Sequence, residues 1–149
     1  MPRAAVAARG MGALVLDLRG HGDSGGVLDA RVMDDLLAGL PVLKELGVEK
    51  INSGVGALMG DDPVVTGSAI AGEQHYEWAA EAFRVVAGEL ASLGMTCSFE
   101  IHMHSLHDTA VSTLKLLDMI GRPLVTANID AGTMLRTPHA EEALAAVGI

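Results

Sequence analysis

Glu100, His102, His104 and His107 fall within the stretch SFEIHMHSLHD (98–108), and Asp130 closes the next β-rich run, LVTANID (124–130). A carboxylate and imidazoles grouped this way fit three descriptions: metal ligands, acid–base groups, or a polar strand end. Two carboxylates with imidazole nitrogens nearby suit a divalent metal such as Mn²⁺, Mg²⁺, Co²⁺ or Zn²⁺. The alternative on the same spacing is that Glu100 and Asp130 form hydrogen bonds or salt bridges with their neighbours. His102, two residues after Glu100, is the imidazole expected on the Glu100 face of a strand. His104 is expected beyond the strand end, and His107, just before a helix cap, in solvent. His75 and His139 read as ordinary residues of helix surfaces.

These groups need elements to hold them. Four β-rich runs, ALVLDLRG (13–20), EKINSGV (49–55), TCSFEIHM (96–103) and LVTANID (124–130), alternate with amphipathic helical runs. That alternation predicts an α/β chain with parallel strands. The first helical run, DARVMDDLLAGLPVLKELG, opens at Asp29, carries Val32, Leu36, Leu40 and Leu43 at helical spacing and stops at Gly47, with Pro41 expected to kink or split it. The second, from about Glu73 to Leu93, puts Tyr76, Ala80, Phe83, Val86 and Leu90 on one stripe before Gly94. Asp108 is the expected cap of TAVSTLKLLDMI, which GRP (121–123) ends, and Thr137 that of a final run, TPHAEEALAAVG. The long loop 54–72 follows a strand and precedes a helix, where parallel α/β enzymes place functional loops; a glycine-rich connection is the plainer reading.

Strand side chains alternate between faces, which sorts these runs. Leu14, Leu16 and Leu18 oppose Val15, Asp17, Arg19 and His21; Phe99, Ile101 and Met103 oppose Ser98, Glu100, His102 and His104; Val125, Ala127 and Ile129 oppose Thr126, Asn128 and Asp130. One face is apolar, and the other turns polar toward the C-terminal end. A flat sheet covered on both sides by helices needs two apolar faces. A partial (β/α) TIM-type barrel fits better, with aliphatic residues toward the helices and polar groups toward a mouth at the strands' C-terminal ends. Glu100 and Asp130 then occupy equivalent late positions on consecutive strands, where their carboxylates would converge.

The chain has 149 residues, one domain's worth, and its 10 Lys and Arg against 19 Asp and Glu leave a net charge of −9. Such a balance repels phosphate backbones and anionic headgroups, so nucleic acid and membrane surfaces are not expected partners. Cys97 stands alone, which excludes an internal disulfide and suits a reducing cytoplasm. The opening MPRAAVAARGMG lacks the long apolar run of a secretory leader, and a cytoplasmic protein is expected.

DLRGHGDSGG (17–26) resembles a loop common in α/β-hydrolases, which need a G-x-S-x-G nucleophile elbow. Here GALMG (56–60) has Leu58 where the serine belongs, and leucine cannot attack an ester. His21 and Arg19 read instead as candidate substrate contacts in a glycine-rich loop at the mouth, with a plain turn as the alternative. HMH (102–104) resembles the paired histidines of metal-dependent amidohydrolase barrels, but that pair belongs on a first strand and two strands precede it here.

From about residue 12 to 137 the order of features is similar to the middle of the xylose-isomerase-like barrel superfamily, the sugar phosphate isomerases and epimerases. The resemblance rests on LKELGVEKINSGVG (43–56), AAEAFRVVAGELASLGMTCSFEIH (79–102) and DTAVSTLKLLDMIGRPLVTANIDAG (108–132). It implies a divalent metal and a small sugar or sugar-like substrate, with Glu100 and Asp130 as two of four ligands. It also implies Glu100 as a proton-moving group, His102 on the substrate side, and Asn128 and His104 as further substrate contacts. The chemistry implied is proton transfer through an enediolate. A complete barrel takes about 250 residues, so the four strands correspond to the third through sixth, and the chain is expected to be one domain that forms part of a barrel. A half-barrel has unpaired edges. The expectation is therefore a piece of a longer barrel or a homo-oligomer, in which a two-fold dimer would supply Glu100 and Asp130 twice. The competing reading is a non-catalytic barrel fragment or interaction module.

Overall fold

The computed structural model describes residues 32–62, 65–121 and 123–134. The predicted strand 13–20, with Arg19 and His21, and the final helical run with Thr137 and His139 lie outside the described residues. The chain divides after Glu49 into two compact units.

In the first unit, α1 (Val32–Glu45) has Asp34 and Asp35 in its first turn and Lys44 in its last, each matching the sign of the helix dipole there. Leu40 is fully buried. The helix continues through Pro41, which was expected to kink or split it. A proline removes one main-chain donor, and the turn beyond it is secured otherwise. Gly47 N–H donates to the Lys44 carbonyl and Val48 N–H to the Leu43 carbonyl, with Gly47 at φ +80°, the paired bonds of a Schellman stop.

The second unit contains β1 (Lys50–Ser53), a 3₁₀ turn (Gly67–Ala69), α2 (Glu73–Ser92), β2 (Thr96–Glu100), α3 (Ala110–Ile120), β3 (Val125–Asn128) and the single turn α4 (Ala131–Met134). The three strands lie in the order β1-β2-β3, and both pairings are parallel. This is a partial α/β fold of the kind predicted, with three of the four strands among the described residues. The α2 stripe is buried from Tyr76 to Leu90. Its end repeats the Schellman stop, with Gly94 at φ +63° and Met95 N–H on the Leu90 carbonyl.

Register sorts the sheet's faces as the alternation required. Ile51, Cys97 and Val125 form one row, and Ser53, Phe99 and Ala127 the next; on this face α2 packs on β2 and α3 on β3. Phe83 of α2 meets Phe99 with ring centroids 5.3 Å apart. Asn52, Ser98 and Thr126 form a row on the opposite face, followed by Glu100 beside Asn128. Cys97 is buried in the apolar row, and burial pushes its thiol up to about 11, so it packs rather than reacts. Among the described residues, no helix is long and apolar enough to cross a membrane.

Candidate functional site

β2 delivers Glu100 at its last position, because the strand alternates faces and ends there. Asn52 on the neighbouring strand donates through Nδ2 to Glu100 Oε2 at 3.1 Å, and Ser98 Oγ donates to Asn52 Oδ1 at 2.9 Å. Glu100 is level with Asn128 in register, not with Asp130. Asp130 lies two residues past the end of β3, so the two carboxylates do not share a register position and are staggered rather than equivalent. Asp130 is exposed, and its Oδ1 accepts from Thr133 N–H at 3.1 Å, starting α4. Among the described residues, neither carboxylate is paired with a lysine or arginine, and each has one oxygen engaged by a neutral N–H.

Beyond β2 the chain brings His102 to Asp130. These two, with Met103, Gly132 and Thr133, line a polar cleft of about 340 Å³. The exposed His102 places Nδ1 2.9 Å from the Met103 carbonyl, which can only accept. Nδ1 thus carries a proton, and in the neutral ring Nε2 is the acceptor.

The remaining histidines of the stretch serve a different structure. His104 sits at φ +66°, places Nδ1 2.7 Å from Thr66 Oγ1, and through its carbonyl accepts from Leu58 N–H at 2.7 Å. It does not line the cleft with His102. His107, expected in solvent, is fully buried against Phe99 at a centroid distance of 4.6 Å. Its Nε2 accepts from Val55 N–H at 3.4 Å, so Nδ1 bears the proton and donates to Ser105 Oγ at 3.1 Å; Ser105 Oγ in turn donates to the His102 carbonyl. Burial pushes the His107 imidazole down to about 4, against the smaller opposing pull of a backbone hydrogen bond and Asp108. It is a neutral structural histidine at physiological pH.

Asp108 is not the cap of α3. Thr109 is, accepting from Ser112 N–H at 3.1 Å, while Asp108 is buried and accepts from Ser68 N–H at 3.2 Å. The backbone there approaches so closely that a Cβ on Gly67 would collide with the Asp108 carboxylate and the Ser105 carbonyl. The loop 54–72 is thus pinned to the segment 104–108 by Leu58, Thr66, Gly67 and Ser68, and is more than a slack connection.

Sequence reasoning missed Asn52. An asparagine on a polar strand face is a weak signal alone, and its partner Glu100 lies 48 residues away. Among the described residues, no group of three or more His, Cys, Asp or Glu side chains is placed to hold a metal ion. What the fold presents is a carboxylate at the end of β2 and another just beyond β3. Oxygen donors of this type suit a hard ion such as Mg²⁺, which takes one or two carboxylates and keeps several waters.

No protein-family model matches the chain, and no curated protein does. Solved structures are similar to it. A xylose isomerase-like TIM barrel protein from Mycobacterium smegmatis, in complex with magnesium, is 18% identical over 77% of this chain and 41% of its own, at a TM-score of 0.60. D-allulose 3-epimerase from Methylomonas sp. is 19% identical over 72% of this chain and 37% of its own, at 0.59. A probable 3-DHS dehydratase from Bacillus anthracis is 25% identical over 69% of this chain and 35% of its own, at 0.56. The chain spans less than half the length of these structures.

Proposed function

We propose that this chain, which carries part of the xylose-isomerase-like barrel fold, supplies the Glu100 and Asp130 side of a divalent-metal site in a sugar isomerase or epimerase. The observation that supports this most is the state of the two carboxylates. Each is steadied at one oxygen by a neutral amide, and among the described residues neither is neutralised by a basic side chain. Two carboxylates close to neighbouring strand ends, each with one oxygen unengaged among the described residues, are available to a cation. The neighbours add weight, one being a magnesium complex and another an epimerase bound to D-allulose.

A divalent ion held there would supply Lewis-acid polarisation of a substrate carbonyl. Glu100 and Asp130 would hold it through their unengaged oxygens, with water or donors outside the described residues completing the shell. Glu100 is also the candidate to remove a proton from the carbon beside that carbonyl, leaving an enediolate. Return of the proton to the opposite face gives the epimer, and to the neighbouring carbon the isomer. His102 lines a cleft with Asp130, where Nε2 of the neutral ring would accept from a substrate hydroxyl, and Asn128, level with Glu100 in register, would offer an amide to another.

Calorimetric titration with Mn²⁺ tests the reading. Binding by the parent chain that is lost in both Glu100→Gln and Asp130→Asn is expected, and no binding by the parent would overturn it. A second reading, dehydration of a hydroxylated carbonyl compound, is favoured by the 25% identity to the probable dehydratase. It shares the proton abstraction and differs in expelling a hydroxyl group, so assays on keto sugars that follow loss of water alongside epimerisation separate the two.

A further inference from the structure

We infer that Asn52 is a positioning residue for Glu100, holding one carboxylate oxygen so that the other is presented to the ion; this rests on the metal-site reading above. An ionised carboxylate can only accept hydrogen bonds, so the Asn52 group facing Oε2 is its NH₂. That assignment turns Asn52 Oδ1 toward Ser98, whose hydroxyl must then donate. The direction of the relay is therefore set throughout, from Ser98 Oγ–H to Asn52 Oδ1 and from Asn52 Nδ2–H to Glu100 Oε2.

The fold makes this relay rigid at its base. Asn52 and Ser98 are register partners on adjacent parallel strands, and Ser98 is 3% exposed. Glu100 stands on the same face two residues on, so Asn52 reaches it diagonally. Among the described residues, Oε1 of Glu100 accepts no hydrogen bond. A carboxylate steadied at one oxygen and open at the other is the arrangement by which outer partners orient a metal ligand, and loss of such a partner typically weakens metal affinity 10- to 100-fold. Among the described residues, neither Asn128 nor Asp130 makes a side-chain hydrogen bond to Glu100, which makes Asn52 the residue that aims it.

The test uses the whole chain, with ¹⁵N labelling to follow the Asn52 side-chain amide. Titration with Mn²⁺ should show affinity reduced about 10-fold or more in Asn52→Ala, with a smaller loss in Ser98→Ala, which keeps the amide but frees its orientation. The Asn52 NH₂ resonance should move in Glu100→Gln, and in the parent it should also move when Mg²⁺ is added, the second being a signature that a merely structural asparagine would not give. Parent-like Mn²⁺ affinity in a folded Asn52→Ala chain would overturn the role while leaving the metal reading intact. If Asn52→Ala fails to fold, Ser98→Ala and the resonance decide. If the parent binds no Mn²⁺, the metal reading falls. The resonance then separates the two claims: a shift in Glu100→Gln supports the hold on Glu100, and an unmoved resonance overturns it.

Discussion

Glu100 and His107 are seven residues apart and lie in opposite surroundings. At the strand end, Glu100 is part-exposed and His102 exposed, and among the described residues each side chain makes a single hydrogen bond. From Ser105 to Thr109 every residue is buried and hydrogen-bonded; Ser68 N–H of the long loop donates to Asp108, and Gly67 packs against Asp108 and Ser105. The two halves of one short stretch thus divide the work. The buried half can tolerate no loose polar group, because an unsatisfied one costs about 1–3 kcal/mol; the open half needs groups that remain available.

The sharpest way to break that division is at Gly67. Its φ of +60° and the closeness of the Asp108 carboxylate leave no room for a side chain. Gly67→Ala should lose about 3 kcal/mol or more of stability in urea unfolding. A variant that unfolds with the parent would show that the two loops are not locked together.

His107 gives the next largest effect, as a pH dependence. Its folded-state value lies near 4, below the ordinary 6.5, so between those values the unfolded chain binds more protons. Stability from this group is complete above about pH 6.5 and falls as pH drops toward 4, by about 3 kcal/mol in all. His107→Gln should flatten the urea midpoint across that window; a slope unchanged from the parent's would show that His107 is not its source.

Thr109→Ala should cost about 1 kcal/mol, the worth of a helix cap, read as a lowered melting temperature. The smallest stability effects belong to the open half. Glu100→Gln and Asp130→Asn each keep an oxygen able to accept the amide hydrogen bond now made, so both should fall within roughly 0.5 kcal/mol of the parent. Their effect should appear instead in Mn²⁺ affinity. A large stability loss in either would place that carboxylate with the buried half and against a binding role.

Much of the scaffold is legible along the chain because its causes are local. Two-residue alternation in TCSFE and VTAN separates the apolar face from the polar one, and the ladder follows it. The glycines ending LKELG and LASLG announce helix stops, since left-handed backbone after a last turn favours glycine. The stripe from Tyr76 to Leu90 is read from 3.6-residue spacing alone.

The sequence by itself thus determined parallel α/β character, the polar face with Glu100 on it, and the glycine stops of α1 and α2. Tertiary structure decided what spacing cannot carry. It buried His107 while exposing His102, because burial depends on what a distant loop lays over each ring. It staggered Glu100 against Asp130, because register belongs to a strand pair rather than to either strand. And it put Asn52 against Glu100 across 48 residues of chain, a hydrogen bond that exists only once β1 and β2 lie side by side.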